Sequence, residues 1–316
     1  MKNILVTGCA GFIGSTLVDK LLEQNYNVLG LDNLSTGRTE FIDSAKKNKN
    51  FKFYKVDLFK DKNFDDYFNG IDSVFHFAAN ADVREGLKYP TRDLDQNTIV
   101  TSKVLEAARK GNVKNIFFSS TGSIYGEADF IPTPENTSFP VQTSLYGASK
   151  LACEGLITAY SHGYGIKSYI FRFVSILGER YTHGHVYDFY SKLRKNPLTL
   201  EVLGNGKQQK SYLHINDCID AILHVSQKFN ELINIINLGV DDTCTVNDSI
   251  SWITESLKIK PKIIYSGGKS GWVGDNPLIH LDTSLINNSG WFPKKSIKEG
   301  ILETLSYLEN NSWIFK

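Results

Sequence analysis

Several things that a chain of this size often carries are missing here, and each absence narrows the possibilities. Among 316 residues there are only four cysteines, Cys9, Cys153, Cys218 and Cys244, scattered without C-x-x-C spacing. Neither a disulfide framework nor a zinc site is therefore indicated, and a reducing cytoplasm is the expected setting. Excess charge of one sign is missing too: 35 Lys and Arg stand against 34 Asp and Glu, for a net charge of +1. With no basic stripe or basic amphipathic helix, nucleic acid and membrane surfaces are not expected partners. No apolar run approaches the roughly 18 residues of a membrane span. A strand starting almost at Met1 is expected to leave no room for a signal peptide. Internal repeats and low-complexity segments are likewise lacking.

What is present begins with Lys2-Asn3-Ile4-Leu5-Val6-Thr7, a buried-strand pattern that runs directly into Gly8-Cys9-Ala10-Gly11-Phe12-Ile13-Gly14 and then a helical pattern to about Gln24. Glycines at these spacings permit a tight turn and close backbone approach. A pyrophosphate can then rest on a helix N-terminus, where free amides and the helix dipole favour anions. The spacing is G-x-x-G-x-x-G, a departure from the general G-x-G-x-x-G dinucleotide fingerprint. A second strand, Tyr26 to Leu31, ends in Asp32, eighteen residues beyond Gly14, where a carboxylate meets the adenosine ribose hydroxyls. Asp32 argues for NAD, because it would repel a 2'-phosphate; Arg38, six residues on, keeps NADP as the alternative. The strand Asp72 to Phe77 leads into Ala78-Ala79, small enough for a cofactor to lie against the backbone. His76 at the end of that strand reads as a core residue, and the His183-Gly184-His185 pair as a loop or substrate contact rather than a metal site.

The pattern that speaks of chemistry is Tyr146-Gly147-Ala148-Ser149-Lys150, twenty-five residues after Thr121 in the run Ser119-Ser120-Thr121-Gly122-Ser123. Tyr and Lys four apart share one helix face, so the ammonium can sit under the phenol. A free phenol has a pKa of about 10, and bringing it ~3 units down takes roughly 4 kcal/mol of differential stabilisation of phenolate. A neighbouring cation in a partly buried cleft is expected to supply that field.

Strand and helix patterns alternate through the first half, which predicts an α/β fold with a parallel sheet covered on both faces. Helices are expected over Arg92 to Lys110 and Leu145 to His162, and further strands over Phe51 to Val56, Asn115 to Ser119 and Lys167 to Phe173. After Phe173 the texture becomes looser and richer in polar and glycine residues. Two parts are expected, 1–174 for the cofactor and 175–316 mainly for the substrate, with the 234–238 segment returning as a strand to the main sheet.

These residues resemble the extended short-chain dehydrogenase/reductases, and within them the nucleotide-sugar epimerases and dehydratases. The resemblance rests on the glycine turn, Asp32-Asn33-Leu34, Val56-Asp57-Leu58, His76-Phe77-Ala78-Ala79, Asn97, the Ser-Ser-Thr stretch, Tyr146 with Lys150, and Leu285 to Pro293. It implies a Rossmann-type doubly wound parallel sheet with a smaller C-terminal substrate-binding lobe, a bound NAD, a nucleoside-diphosphate sugar as substrate and a homodimer formed through the helices near 92–110 and 145–162. For the cofactor it implies Gly8, Gly11, Phe12, Ile13 and Gly14 at the pyrophosphate, and Asp32 and Asn33 at the ribose. It further implies Asp57 and Leu58 near adenine, with Ala78, Ala79, Asn97, Ser119, Tyr146, Lys150 and Phe173 along the remainder. Tyr146 resembles the family's base, taking a proton from the sugar hydroxyl, usually O4, while Thr121 hydrogen-bonds that oxygen and Lys150 holds the nicotinamide ribose. Val83, Thr121, Ser123, Tyr146, Ser175, His185, Val186, Lys210 and Trp272 are the implied substrate contacts.

Departures from the family pattern narrow the activity. Members that eliminate water carry Asp-Glu after the threonine, and decarboxylating members also supply a glutamate there; this chain has Gly122-Ser123, which cannot transfer those protons. Return of the hydride to the opposite face, a 4-epimerisation, is the simplest outcome. Release of a 4-keto hexose or heptose by a net dehydrogenase is the alternative, and a catalytically silent nucleotide-sugar sensor a more distant one. Ser175 stands where the family has a diphosphate-binding asparagine, Lys210 where it has an arginine, and Trp272 near a second arginine position. Lysine keeps the charge and loses the bidentate fork.

Overall fold

The computed structural model describes residues 2–80, 86–138, 141–268 and 278–315. The chain opens with alternating strands and helices: Asn3–Thr7 (β1), Phe12–Glu23 (α1), Asn27–Asp32 (β2), Phe51–Lys55 (β3), Ser73–His76 (β4), Val100–Lys110 (α2), Asn115–Thr121 (β5), Leu145–Tyr164 (α3) and Lys167–Phe173 (β6). Shorter strands follow: Ser175–Leu177 (β7), His185–Lys195 (α4), Thr199–Val202 (β8), Gln209–Lys210 (β9), Tyr212–His214 (β10), Ile215–Lys228 (α5), Ile233–Leu238 (β11), Cys244–Thr245 (β12) and Val246–Ser256 (α6). Lys262–Tyr265 (β13), Leu278–Ile279 (β14), Ser284–Asn288 (α7) and Ile297–Asn310 (α8) complete the order.

Seven strands form the main sheet in the order β11-β6-β5-β4-β1-β2-β3. β1 pairs in parallel with both β2 and β4, so the winding reverses there; β2–β3 and β4–β5 are parallel as well. This is the doubly wound arrangement, and its ligand crevice lies at the carboxyl ends of the strands where the order reverses. Gly8 follows β1, Asp32 ends β2 and Ala78 follows β4, which puts all three sequence signals at that edge. β11 takes the outer place beside β6, the expected return to the main sheet.

The alternation of side chains explains both faces. Leu5, Val74, Ile116 and Phe118 point to a core shared with Val104 and Leu105 of α2 and Cys153 and Ile157 of α3. On the other side Phe117 stacks on Phe75 at 4.2 Å and on Tyr169 at 4.4 Å. Each fully buried side chain of this size stabilises the fold by about 1.5–3 kcal/mol. The helix α3 starts where the Ser144 hydroxyl accepts from Gly147 N (3.0 Å) and stops at Gly165, whose φ of +69° an L side chain would resist.

The predicted helix over 92–110 is not α-helical throughout. Leu94–Ile99 forms a wider π-helical turn before α2, a device that recurs at functional sites. The cause is visible at Asn97: its buried side chain accepts from Asn80 N (2.8 Å) and donates to Ser149 Oγ (2.9 Å), fixing the widened turn between the β4 loop and α3.

Two compact units emerge. The first comprises 1–126, 140–172 and 222–236; the second 127–139, 173–221 and 237–316. The chain thus passes between them several times, where the sequence suggested one boundary at 174. In the second unit the 127–139 excursion is held by distant partners: Thr133 bridges to Leu281, and Asn237 Nδ2 donates to the carbonyls of Thr133 (2.9 Å) and Asp282 (3.1 Å). Its strands are short, with β7–β10, β8–β13 and β12-β9-β14 as separate ribbons. Capping boxes at Thr245–Asp248 and Ser296–Glu299 open α6 and α8. Among the described residues no helix is long and apolar enough to cross a membrane.

Candidate active site

In the first unit, the turn after β1 is shaped by what its glycines leave out. Gly8 has φ +71°, and a Cβ there would lie 2.7 Å from Ala78 N; on Gly14 it would lie 2.1 Å from Gly8 O. Gly11 is the N-cap of α1 and brings no side chain to it, and Phe12 and Ile13 form the first helical turn. The amides of such a turn have no partners within their own helix and attract anions. Asp32 is fixed at the end of β2: its Oδ2 accepts from Ala10 N (2.9 Å) and its Oδ1 from Leu34 N (2.8 Å). Burial raises its pKa, and these two amide bonds oppose the rise.

Asn33 Nδ2 reaches Asp57 Oδ2 at 3.5 Å, and Asp57 Oδ1 accepts from Phe59 N and Lys60 N at 3.0 and 3.1 Å. The Leu58 side chain is in the core. Ala78 and Ala79 are half-buried, with Ala78 N donating to Thr7 Oγ1 (3.2 Å). His76 bridges Thr7 and Thr101 at 2.8 and 3.0 Å, and burial lowers its pKa to about 3, so it is a neutral core residue. Phe173 is buried at the end of β6. A backbone cradle that a Cβ would fill, a helix start without a side-chain cap and a carboxylate beyond β2 together fit a dinucleotide.

Thr121 ends β5 and Tyr146 lies in the first turn of α3, near enough for the threonine hydroxyl to favour the phenolate. Thr121 Oγ1 also accepts from Ser123 N (3.1 Å) and donates to Ser123 Oγ (3.2 Å). Lys150 is only 2% exposed; its Nζ donates to the Ser119 carbonyl (2.7 Å) and lies 4.6 Å from the Phe118 ring centroid. Desolvation lowers the Lys150 pKa to about 8, opposed by Cys153, Glu154 and Asp93.

The phenol does not follow the sequence expectation. Desolvation and then the Asp93 carboxylate push the Tyr146 pKa well above its ordinary value, and the nearby Thr121 hydroxyl offsets only part of this. Lys150 donates a hydrogen bond to the Ser119 carbonyl, and without a bound cofactor the surroundings of Tyr146 favour its protonated phenol.

The implied substrate residues of the second unit fall into two kinds. Ser175, exposed on β7 in register with Tyr212, and Lys210, half-buried at the end of β9 in register with Cys244, are at least partly exposed. Val186 is not: its side chain is wholly buried. His185 opens α4 after Gly184, and its Nε2 sits 3.1 Å from Ser249 Oγ with the Tyr212 ring 4.7 Å away. Burial and the Lys210 charge hold its pKa at about 3, so the ring is neutral. Val83 and Trp272 lie outside the described residues.

Some neighbours of the site went unnoticed in the sequence. Asp93, buried before the π turn, accepts from Asn80 Nδ2 (2.8 Å), and Ser149 Oγ donates to the Tyr146 carbonyl (2.8 Å). Glu154 is buried one turn beyond Lys150. An acid at i+4 from the lysine on an otherwise apolar helix face was the one available signal.

Comparison with known proteins agrees with this geometry. Residues 4–239 match the NAD dependent epimerase/dehydratase family. The UDP-glucose 4-epimerase of Mycolicibacterium smegmatis is 30% identical over 339 residues, covering 98% of this chain and 99% of that protein. A crystal structure of a UDP-galactose 4-epimerase is similar with a TM-score of 0.88 at 36% identity, covering 98% of this chain and 100% of that one. A UDP-glucuronic acid 4-epimerase from Bacillus cereus, solved with UDP-glucuronic acid and NAD, has a TM-score of 0.90 at 27% identity, with 98% and 99% covered. By a family match over most of its length, with full-length relatives at and above 30% identity, the chain belongs to the NAD-dependent epimerase/dehydratase family.

Proposed function

We infer that the protein is an NAD-dependent nucleoside-diphosphate-sugar 4-epimerase that works through a transient 4-keto sugar. One observation carries the reading: Thr121 and Tyr146 lie close together in the same unit as the dinucleotide cradle, and the turn after Thr121 is Gly122-Ser123, without a carboxylate. NAD, when bound, supplies the acceptor and later the donor of the C4 hydride, together with a positive charge in this buried volume. Tyr146, as the phenolate that this added positive charge and the Lys150 ammonium would favour, takes the O4 proton and afterwards returns it. Thr121 donates to the oxygen as it becomes a carbonyl and accepts from it as an alcohol, remaining neutral. Lys150 holds the nicotinamide ribose and places its ammonium charge behind the phenol. Without an acid after Thr121 to expel water, the keto sugar is reduced again on its other face.

Gly8, Gly11, Phe12 and Ile13 would hold the pyrophosphate, Asp32 and Asn33 the adenosine ribose, and Asp57 and Leu58 the adenine edge. Ala78, Ala79, Asn97, Ser119 and Phe173 would line the rest of the dinucleotide. Lys210 would meet the substrate diphosphate, with Ser175, His185, Ser123, Val83 and Trp272 contributing to the sugar and nucleotide. Incubating the protein with a panel of UDP-hexoses and UDP-hexuronic acids and following the anomeric protons by NMR tests the reading. Epimer formation without net NADH is expected. A ketone accumulating with stoichiometric NADH would make it a dehydrogenase, and no turnover of any sugar would remove the enzymatic reading.

The same inference extends to a cytoplasmic homodimer. Four free cysteines suit a reducing compartment. Leu94 and Ile99 of the π turn and Leu145, Ala152, Gly155 and Ala159 of α3 are exposed, a surface able to form a four-helix interface. Light scattering at micromolar concentration should give twice the 35.5 kDa chain mass; a monomer would exclude the dimer.

A further inference from the structure

The geometry points to Glu154 and Arg172 as positioning residues for the Tyr146–Thr121 pair, acting as a buried ion pair behind α3 that sets the helix against the end of β5. The inference rests on the epimerase reading above. Residues 146, 150 and 154 are spaced i, i+4 and i+8, so phenol, ammonium and carboxylate share one face of α3. Glu154 is 4% exposed and Arg172, on β6, 8%. Arg172 Nη2 donates to Glu154 Oε2 at 2.8 Å, and Nε to Oε1 and Oε2 at 3.2 and 3.3 Å.

From this pair, bonds run to both sides of the reacting position. The Ser120 hydroxyl donates to Glu154 Oε1. Ser120 stands between Ser119, whose carbonyl accepts from Lys150, and Thr121, whose hydroxyl lies beside the phenol. Arg172 Nη1 donates to Tyr125 OH at 2.7 Å, with the guanidinium 5.0 Å from that ring's centroid. Tyr125 closes the Gly122–Tyr125 turn that carries Ser123. One guanidinium–carboxylate unit therefore ties together α3, the end of β5 and the turn beyond it.

Stability alone does not account for such an arrangement. A buried ion pair can often be replaced by well-packed apolar residues without loss of stability. The apolar contacts of Cys153 and Ile157 already bury α3 against the sheet, yet burial is non-directional and leaves the rotation of the helix loosely set. Charge-assisted hydrogen bonds are directional, and a misplacement of about 1 Å at a reacting group can cost on the order of 100-fold in rate.

The decisive variant is the double replacement Glu154→Met with Arg172→Met, which removes both charges without leaving either unpaired. We expect it to melt cooperatively and to bind NAD in calorimetry, while kcat falls at least ten-fold and KM for the UDP-sugar moves less than three-fold. In its crystal structure the Tyr146 hydroxyl should be displaced from Thr121 Oγ1 by about 1 Å relative to the wild type. Ser120→Ala and Tyr125→Phe, which each remove one strut, should lower kcat two- to five-fold. A folded double variant with wild-type kcat and the wild-type Tyr146–Thr121 distance overturns the inference, as does a rise in KM alone. Should the double variant not fold, wild-type kcat in both single variants overturns it. If the wild-type protein epimerises nothing, the functional reading fails separately, and the Tyr146–Thr121 distance in the variant crystal decides this inference by itself.

Discussion

The two units build their candidate sites from different distances along the chain. In the first, a dinucleotide cradle is made by seven residues, Gly8 to Gly14, and a reacting pair by one turn of α3 facing the end of the neighbouring β5. In the second, Ser175 owes its position to pairing with Tyr212, and Lys210 to a ribbon whose other strands come from Cys244–Thr245 and Leu278–Ile279. Backbone turns and helix spacing dictate the first arrangement; long-range pairing dictates the second. On the function proposed above, the difference would separate chemistry from recognition, and substitutions at Ser175 and Lys210 would change which nucleotide sugar is held without disturbing the proton carrier.

That separation can be broken by experiment, most forcefully at the phenol. Tyr146→Phe should lower kcat by about 100-fold or more, the scale of a positioned acid–base, while NAD affinity measured by calorimetry stays within a few-fold. Turnover near that of the wild type would remove Tyr146 from the chemistry. In the second unit, Lys210→Ala should instead raise KM for the UDP-sugar about ten-fold with kcat nearly unchanged, the signature of lost uniform binding. If steady-state kinetics showed a fall in kcat at constant KM, recognition and chemistry would not be divided between the units as described.

The smallest effect concerns one neutral histidine in each unit. His76 and His185 both have pKa values lowered to about 3, against an ordinary value near 6.5. The unfolded chain therefore binds more protons between those values, and stability that is complete above pH 6.5 is lost as pH falls toward 3. For the wholly buried His76 the loss should be on the order of 1 kcal/mol per pH unit. It should be weaker for the half-buried His185. Urea unfolding of His76→Asn and His185→Gln at pH 7 and pH 5 checks the ranking; an equal loss of pH dependence in the two variants would refute it.

Local signals carried much of the fold. The glycine turn, Asp32 after β2 and the expected strands and helices of the first half lie where short-range patterns put them, because a parallel strand buried on both faces and a helix with an apolar stripe both leave a periodicity in the chain. What was illegible depended on partners far apart in sequence. The π turn at Leu94–Ile99 exists because Asn97 reaches Asn80 and Ser149 at once. Val186 looked like a ligand contact and is a core residue. The phenol of Tyr146 was expected to be drawn toward neutrality by Lys150; burial and Asp93 raise its pKa instead, and neither is visible in a Tyr-x-x-x-Lys spacing.

By itself, the order of residues determined which chemical groups this protein has at its disposal: a phenol and an ammonium four apart, a hydroxyl twenty-five residues before them, and a turn that only glycines can make. Spacing along a helix or through a tight turn is a property of the local backbone, so it survives any choice of tertiary partner. Only the tertiary structure decided the protonation of those groups and their aim, since both depend on burial and on directed bonds from Ser119, Ser120, Glu154 and Arg172, residues that the folding of β5, α3 and β6 into one layered core brings together.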